Sequence, residues 1–314
     1  MTADKATKRF GLLGVPFGLC ARSPGCERGP ATLRAFGLVE HLQALQNDSI
    51  IMKDYADTPE VGMNGRTPTD EKIKFKNELL EYATILLDRV LAIYQDGYKP
   101  LIVGGDHSIS ITTIAAAVKH HRTIKPDFRL GILWVDAHGD ICSPENTLTG
   151  NVHGMSLAHL LGNGDKDLAS IGGFTKKIEP NNLVYIGLRS LDQPERIKIK
   201  EMGIKAYSMK EVDLYGIGTV ISQSLNYLNS NFDQFWLSFD LDVCDPEITP
   251  GVGTPVRGGL TFREAHLIME MVAESYATCC GIELVEYSPD MDCYGATGKT
   301  AIGLLESAAG KNIL

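Results

Sequence analysis

The apolar run Leu130 to Val135 leads directly into Asp136-Ala137-His138-Gly139-Asp140. A continuous apolar run of this length reads as a strand buried on both faces. Such a strand needs helices on both sides of its sheet, and that requirement narrows the fold more than any other feature of the chain. At its far end Asp136, His138 and Asp140 stand at i, i+2 and i+4. An extended backbone sends all three side chains to the same side, where they can act together as ligands. A solvated polar loop is the plainer alternative, so the remaining strands have to decide.

The same pattern recurs along the chain. Phe10–Val15, Ser49–Met52, Pro100–Val103, Leu183–Ile186, Ile204–Tyr207, Phe235–Phe239 and Ile282–Val285 read as further strands. Between them the spacing predicts a helix over Thr32–Leu45, with Leu33, Phe36, Leu38, Leu42 and Leu45 as its apolar face. A longer helix is expected from Asp70 to about Gln95, another over Ser108–His120, and a last one over Thr300–Ala309. Ser208-x-x-Glu211 and Thr261-x-x-Glu264 have the form of capping boxes, the second ahead of the run Ala265–Val272. Asp54–Thr69, rich in Pro, Gly, Asn and Asp, is expected as a surface loop. Continuously apolar strands alternating with helices predict an α/β fold with a mainly parallel sheet covered on both faces. No linker or repeat splits the chain, so residues 1–314 are expected to form one domain.

In open parallel sheets ligands bind beyond the carboxyl ends of the strands. Four segments put acids or histidines there: His107 after Gly104-Gly105-Asp106, the Asp136–Asp140 stretch, Asp240-Leu241-Asp242, and Glu286. One histidine after a strand is more often an ordinary loop residue, but four such segments at one sheet edge point to a site. Asp136, Asp140, Asp240 and Asp242 supply carboxylates, while His107 and His138 supply imidazoles. Without cysteine in the set, soft thiolate sites are excluded. Oxygen-rich sites suit Mn²⁺ or Mg²⁺, and two imidazoles tilt the choice toward a transition metal such as Mn²⁺. Six ligands are too many for one catalytic ion with an open position. Two ions held roughly 3.5–4 Å apart by shared carboxylates would use them fully and would support hydrolysis.

Bulk composition removes other classes of function. At 44% hydrophobic and 22% charged residues, the chain has the make-up of a soluble protein with a full core. A formal net charge of -9 with no basic stripe argues against a nucleic-acid partner. No apolar stretch approaches a membrane span, and Met1-Thr2-Ala3-Asp4-Lys5 lacks the apolar core of a signal peptide. Seven scattered cysteines without a C-x-x-C pair favour a reducing, cytoplasmic setting.

The motifs Gly104-Gly105-Asp106-His107-Ser108, Asp136-Ala137-His138-Gly139-Asp140, Gly150-Asn151-Val152-His153-Gly154 and Ser238-Phe239-Asp240-Leu241-Asp242-Val243-Cys244-Asp245-Pro246 resemble the signatures of the ureohydrolases. Within that superfamily the chain is most similar to the arginases, from Gly29-Pro30 to Gly298-Lys299-Thr300-Ala301. The resemblance implies a three-layer α/β/α fold and a bridged pair of Mn²⁺ ions per subunit. It implies His107, Asp136, Asp140 and Asp240 on one ion, and Asp136, His138, Asp240 and Asp242 on the other. It further implies attack of a bridging hydroxide on the guanidinium carbon of L-arginine, giving urea and L-ornithine. Asp140 would orient the nucleophile and pass on a proton, and His153 would serve as the proton shuttle. Glu286 would face the guanidinium end of the pocket, with Thr254 near the same end. A homo-oligomer, trimer or hexamer, is implied as well.

At the amino-acid end the resemblance matches Thr149 and Asn151 to contacts with the α-carboxylate. It matches Asp192 to the α-amino group, with Glu195 as a partner of Asp192. Cys142 departs from the pattern, because arginases usually carry Asn there. A thiol is a weak hydrogen-bonding group, so one carboxylate contact is in question. Agmatinase or another guanidino-acid hydrolase is the nearest alternative, since it shares the metals but not the tail pocket. A silent metal-binding member is disfavoured by the presence of all six ligands. A single-metal deacetylase of related fold is disfavoured by their number.

Overall fold

The computed structural model describes residues 7–47, 49–62 and 65–311. The Met1–Lys5 segment considered above therefore lies outside the described residues. Eight strands form one sheet: β1 (Lys8–Val15), β2 (Ile50–Asp57), β3 (Lys99–Gly104), β4 (Leu130–Val135), β5 (Leu183–Leu188), β6 (Lys205–Ser208), β7 (Gln234–Asp240) and β8 (Cys279–Val285). Their order across the sheet is β2-β1-β3-β8-β7-β4-β5-β6, and every neighbouring pair is parallel.

The strands alternate their side chains between two separate cores. Leu101, Leu133, Val184, Leu237 and Ile282 enter one. Ile102, Ile132, Trp134, Tyr185 and Trp236 enter the other. On the first side Leu33, Val220, Ile268 and Leu304 pack down from the helices Gly29–Ala35, Ile217–Asn231, Phe262–Glu274 and Ala296–Ala309. On the second, Leu86, Ile114 and Ile199 come from Lys76–Gln95, Ser110–Ile124 and Gln193–Glu201. The result is the expected three-layer α/β/α arrangement. Apolar burial worth about 1.5–3 kcal/mol for each large side chain holds the layers together. Exposed ion pairs such as Arg263–Glu270 contribute far less.

Local departures have physical causes. The helix expected over Thr32–Leu45 is two helices, Gly29–Ala35 and Leu38–Gln43. Gly37, at φ 87°, turns the chain between them, and Phe36 swings out to 40% exposure instead of joining the apolar face. The next long helix begins at Lys76 rather than Asp70, because Phe75 sits in the left-handed region at φ 58°. Strand β2 continues to Asp57, so the surface loop is shorter than expected. Both predicted capping boxes are present.

Strand order explains how the four ligand-bearing segments meet. Strands β3, β8, β7 and β4 are consecutive neighbours in the centre of the sheet. Their carboxyl ends carry His107, Glu286, the Asp240–Asp242 pair and the Asp136–Asp140 stretch, respectively.

Candidate metal centre and substrate cavity

Chain geometry at each strand end aims its ligands. Beyond β4, His138 donates its backbone N–H to Oδ1 of Asp136 at 2.7 Å, while Trp134 Nε1 donates to Oδ2 of the same residue at 2.9 Å. The backbone there is bent rather than extended, and Asp140 adopts φ 48°. Asp136, His138 and Asp140 thus converge through a tight turn, and not through the strand alternation expected from their spacing. Glu286, at φ 67°, is another non-glycine residue of this region in the left-handed conformation. Strain of this kind gathers where function fixes a side chain. Beyond β3, Gly105 passes so close to the neighbouring chain that a Cβ would lie 1.8 Å from the carbonyl oxygen of Phe17. Only glycine allows the approach that sets up Asp106 and His107.

The six predicted ligands come together. His107, Asp136 and Asp240 offer donor atoms within 4.8 Å of one another, and so do Asp136, His138 and Asp242. Nδ1 of His107 lies 3.2 Å from Asp136, 3.1 Å from Asp140 and 3.1 Å from Asp240. Nδ1 of His138 lies 3.0 Å from Oδ2 of Asp242. Asp136 belongs to both groups. Asp240 enters only the first, and its Oδ1 accepts the backbone N–H of Asp242 at 2.8 Å. On its far side His107 is fixed by Ser238, whose Oγ is 2.8 Å from Nε2, and by the indole of Trp134 stacked 4.1 Å away. Such outer partners orient ligand imidazoles.

Electrostatics of the cluster matches a cation site. Burial, then the charges of Asp242 and Asp136, pushes Asp240 well above the usual carboxylate range. Burial and Asp136 raise Asp140 to about 6. Burial alone would lower the His138 imidazole, but Asp242 and Asp136 outweigh it and lift it to about 12. Burial would likewise raise Asp136, yet His107 and His138 hold it far below its ordinary value. Carboxylates packed this closely are suited to a cation, and an oxygen-rich set with two imidazoles suits a transition metal.

His138, Asp140, Asp240 and Asp242 of the cluster line a cavity of about 260 Å³. His153 lines it, and its Nδ1 lies 3.0 Å from Oε1 of Glu286. Burial would lower the His153 imidazole, but the Glu286 charge outweighs it and raises it to about 9. Glu286 also accepts the backbone N–H of His107 at 2.8 Å and the thiol of Cys26 at 3.3 Å. It sits one hydrogen bond further in than His153 and does not itself line the cavity. Thr254 lines the wall and donates its hydroxyl to Oδ2 of Asp242 at 2.8 Å.

The cavity is lined as well by Thr149, Asn151, Asp192, Glu195 and Cys142. Asp192 caps the helix Gln193–Glu201, and Oε2 of Glu195 accepts its backbone N–H at 3.0 Å. Burial and the charge of Asp140 raise Glu195 to about 7. Cys142 is buried, and burial with Glu195 and Asp192 lifts its thiol to about 12. A larger cavity, about 700 Å³, opens between the helices Gln193–Glu201 and Met209–Tyr215. It contains none of the ligand clusters and lies apart from the chemistry.

Several contributors lie outside the sequence expectations. Trp134 was in principle readable, since it sits two residues before Asp136 on the same strand face. Ser238 and Cys26 reach the site only through strand order and loop path, which the sequence does not display.

The model of the Arginase family matches residues 8–310. The chain belongs to the arginase family. The arginase of Bacillus caldovelox is 40% identical over 309 residues, covering 98% of this chain and all of that one. The arginase of Bacillus subtilis strain 168 is 40% identical over 308 residues, covering 98% and 99%. The native structure of Bacillus caldovelox arginase superposes with a TM-score of 0.90 over 98% of this chain and all of its own. An Entamoeba histolytica arginase structure containing L-ornithine, 30% identical, superposes with a TM-score of 0.86 and the same coverage. No helix among the described residues is long and apolar enough to cross a membrane.

Proposed function

We propose that this chain hydrolyses L-arginine to urea and L-ornithine at a pair of Mn²⁺ ions. The observation that carries the reading is the convergence of His107, Asp136, His138, Asp140, Asp240 and Asp242 beside a cavity in a chain of the arginase family. His107, Asp136, Asp140 and Asp240 would hold one ion, and Asp136, His138, Asp240 and Asp242 the other. Such a pair supplies the Lewis acidity that makes water a nucleophile at neutral pH.

The side chains divide the remaining work. Water adds to the guanidinium carbon, the bond from that carbon to Nε breaks, and the departing amine needs a proton. His153, kept protonated by Glu286 at 3.0 Å, is placed to deliver it, with Asp140 taking the proton released by the water. Glu286, the acid at the guanidinium end, acts in this reading mainly by positioning His153. Thr254 steadies Asp242 at the same end. Thr149 and Asn151 would receive the α-carboxylate. Asp192, braced by Glu195, would receive the α-amino group.

The same proposal covers the whole of residues 1–314 as one domain, since all described strands join one sheet. A trimer or hexamer is part of the reading, and exposed Leu214 and Tyr215 offer apolar surface for it. A cytoplasmic setting accords with seven free cysteines. The test is urea release by the Mn²⁺-loaded protein from L-arginine, agmatine and other guanidino compounds side by side. Preference for L-arginine is expected. Preference for agmatine would replace the reading with agmatinase, and no release from any compound would leave a silent metal-binding protein.

A further inference from the structure

The substrate cavity has a charge problem that its neutral lining residues do not solve. Asp140, Asp192, Glu195, Asp240 and Asp242 all line it. Two bound cations would offset the acids of the cluster but not Asp192 and Glu195 at the tail end. A ligand with a carboxylate at its tail would therefore meet two acids there, a weak thiol and two neutral polar groups. Among the described residues, Arg22 is the only lysine or arginine on the cavity wall. Its side chain is exposed and forms no ion pair among the described residues.

The loop that carries Arg22 is fastened on both sides. Before it, the backbone N–H of Cys20 donates to Oδ2 of buried Asp106 at 2.9 Å, and the Cys20 carbonyl accepts from the backbone N–H of His153 at 3.4 Å. After it, the backbone N–H of Gly25 donates to Glu27 at 2.9 Å, and the Cys26 thiol reaches Glu286 at 3.3 Å. Arg22 thus stands in a short span between two anchors that touch the reaction site itself. From this position we infer that Arg22 is a specificity-determining residue. Its guanidinium takes the α-carboxylate of the amino-acid substrate, in the place left weak by Cys142. A planar guanidinium matches a carboxylate with two parallel hydrogen bonds, and its charge counters the neighbouring acids. The same cation gains nothing from agmatine or putrescine, which lack the carboxylate. Arg22 therefore favours amino acids over their decarboxylated amines.

This inference rests on the proposed arginine hydrolysis, and the test separates the two. Wild-type, R22A and R22K proteins, all full-length and Mn²⁺-loaded, are assayed with L-arginine and with agmatine. In R22A the KM for L-arginine should rise about tenfold to a hundredfold, the range for losing a charge-assisted hydrogen bond. Turnover at saturation should move little, the agmatine parameters should stay level or improve, and R22K should recover part of the loss. Calorimetric binding of L-ornithine against putrescine gives a readout that needs no turnover. R22A should erase the preference for L-ornithine. An unchanged preference, or equal losses with both members of each pair, would overturn the assignment. Absence of wild-type urea release would instead refute the hydrolase reading, and the binding pair would still decide the role of Arg22.

Discussion

Asp136 is the residue on which the two ligand groups depend, because its carboxylate belongs to both. Replacing it by alanine should remove bound manganese and abolish turnover, and metal content per chain with a urea assay would check both. Asp240→Ala should do the same if this carboxylate also bridges the ions. Retention of two ions in that variant would restrict Asp240 to the His107 group. His153 contacts Glu286 and no metal-ligand side chain, so His153→Ala should slow turnover roughly 10²-fold while leaving metal content unchanged. Metal loss in His153→Ala would mean that a ligand has been misassigned. At this scale the sequence displayed which acids and histidines would gather at the strand ends, because they ended apolar runs. It did not display their aim. The left-handed backbones of Asp140 and Glu286 arise from tertiary contacts, so an extended reading of Asp136–Asp140 could not anticipate the turn. Cys26, on a loop with no regular pattern, gave no signal that its thiol would reach Glu286.

Secondary structure was most legible where burial was most complete. The runs of β3, β4, β5, β7 and β8 are mostly apolar and almost wholly buried, and all of them are strands. Helix ends were harder to read, because they turn on single residues such as Gly37 and Phe75 whose φ angles are set by the chain path. The helix Ile217–Asn231 is absent from the sequence expectations, although Ile217, Val220, Ile221, Leu225 and Leu228 recur at helical intervals. Capping boxes were readable because their partners are local. Thr261 accepts the backbone N–H of Glu264, and Glu264 accepts that of Thr261 at 2.8 Å. Thr261→Ala should cost about 1 kcal/mol of stability, measured by denaturant unfolding, with metal content unchanged.

For the molecule as a whole, metal and proton binding should both register in stability. A ligand that binds only the folded chain stabilises it by about 2.7 kcal/mol at a hundred times its Kd. Chelation should therefore lower the melting temperature by several degrees, and calorimetry with and without Mn²⁺ would measure it. Lys177 supplies a separate test away from the site. Burial alone lowers its ammonium to about 7, and only 2% of the residue is exposed. Below pH 7 the proton is held in both folded and unfolded chains, and the burial cost is present in full. Between about 7 and the ordinary lysine value near 10.4, the unfolded chain holds a proton that the folded chain has released, so stability rises with pH. Lys177→Met should gain roughly 2 kcal/mol at pH 6.5 and lose that advantage towards pH 10. Melting curves of both proteins across this window would check the sign.

Strand order also governs when the site can come into being. The ligand-bearing strands lie side by side as β3-β8-β7-β4, yet the chain makes them in the order β3, β4, β7, β8. During synthesis His107 and the Asp136–Asp140 turn emerge early, but β7 and β8 must insert between their strands before the two meet. A nascent chain that ends before β7 thus carries four of the six candidate ligands, at two separated positions, with central strand edges unpaired. Such intermediates are slow to close and exposed to aggregation. On the proposed two-metal reading, capture by the full set comes only after β7 and β8 have inserted.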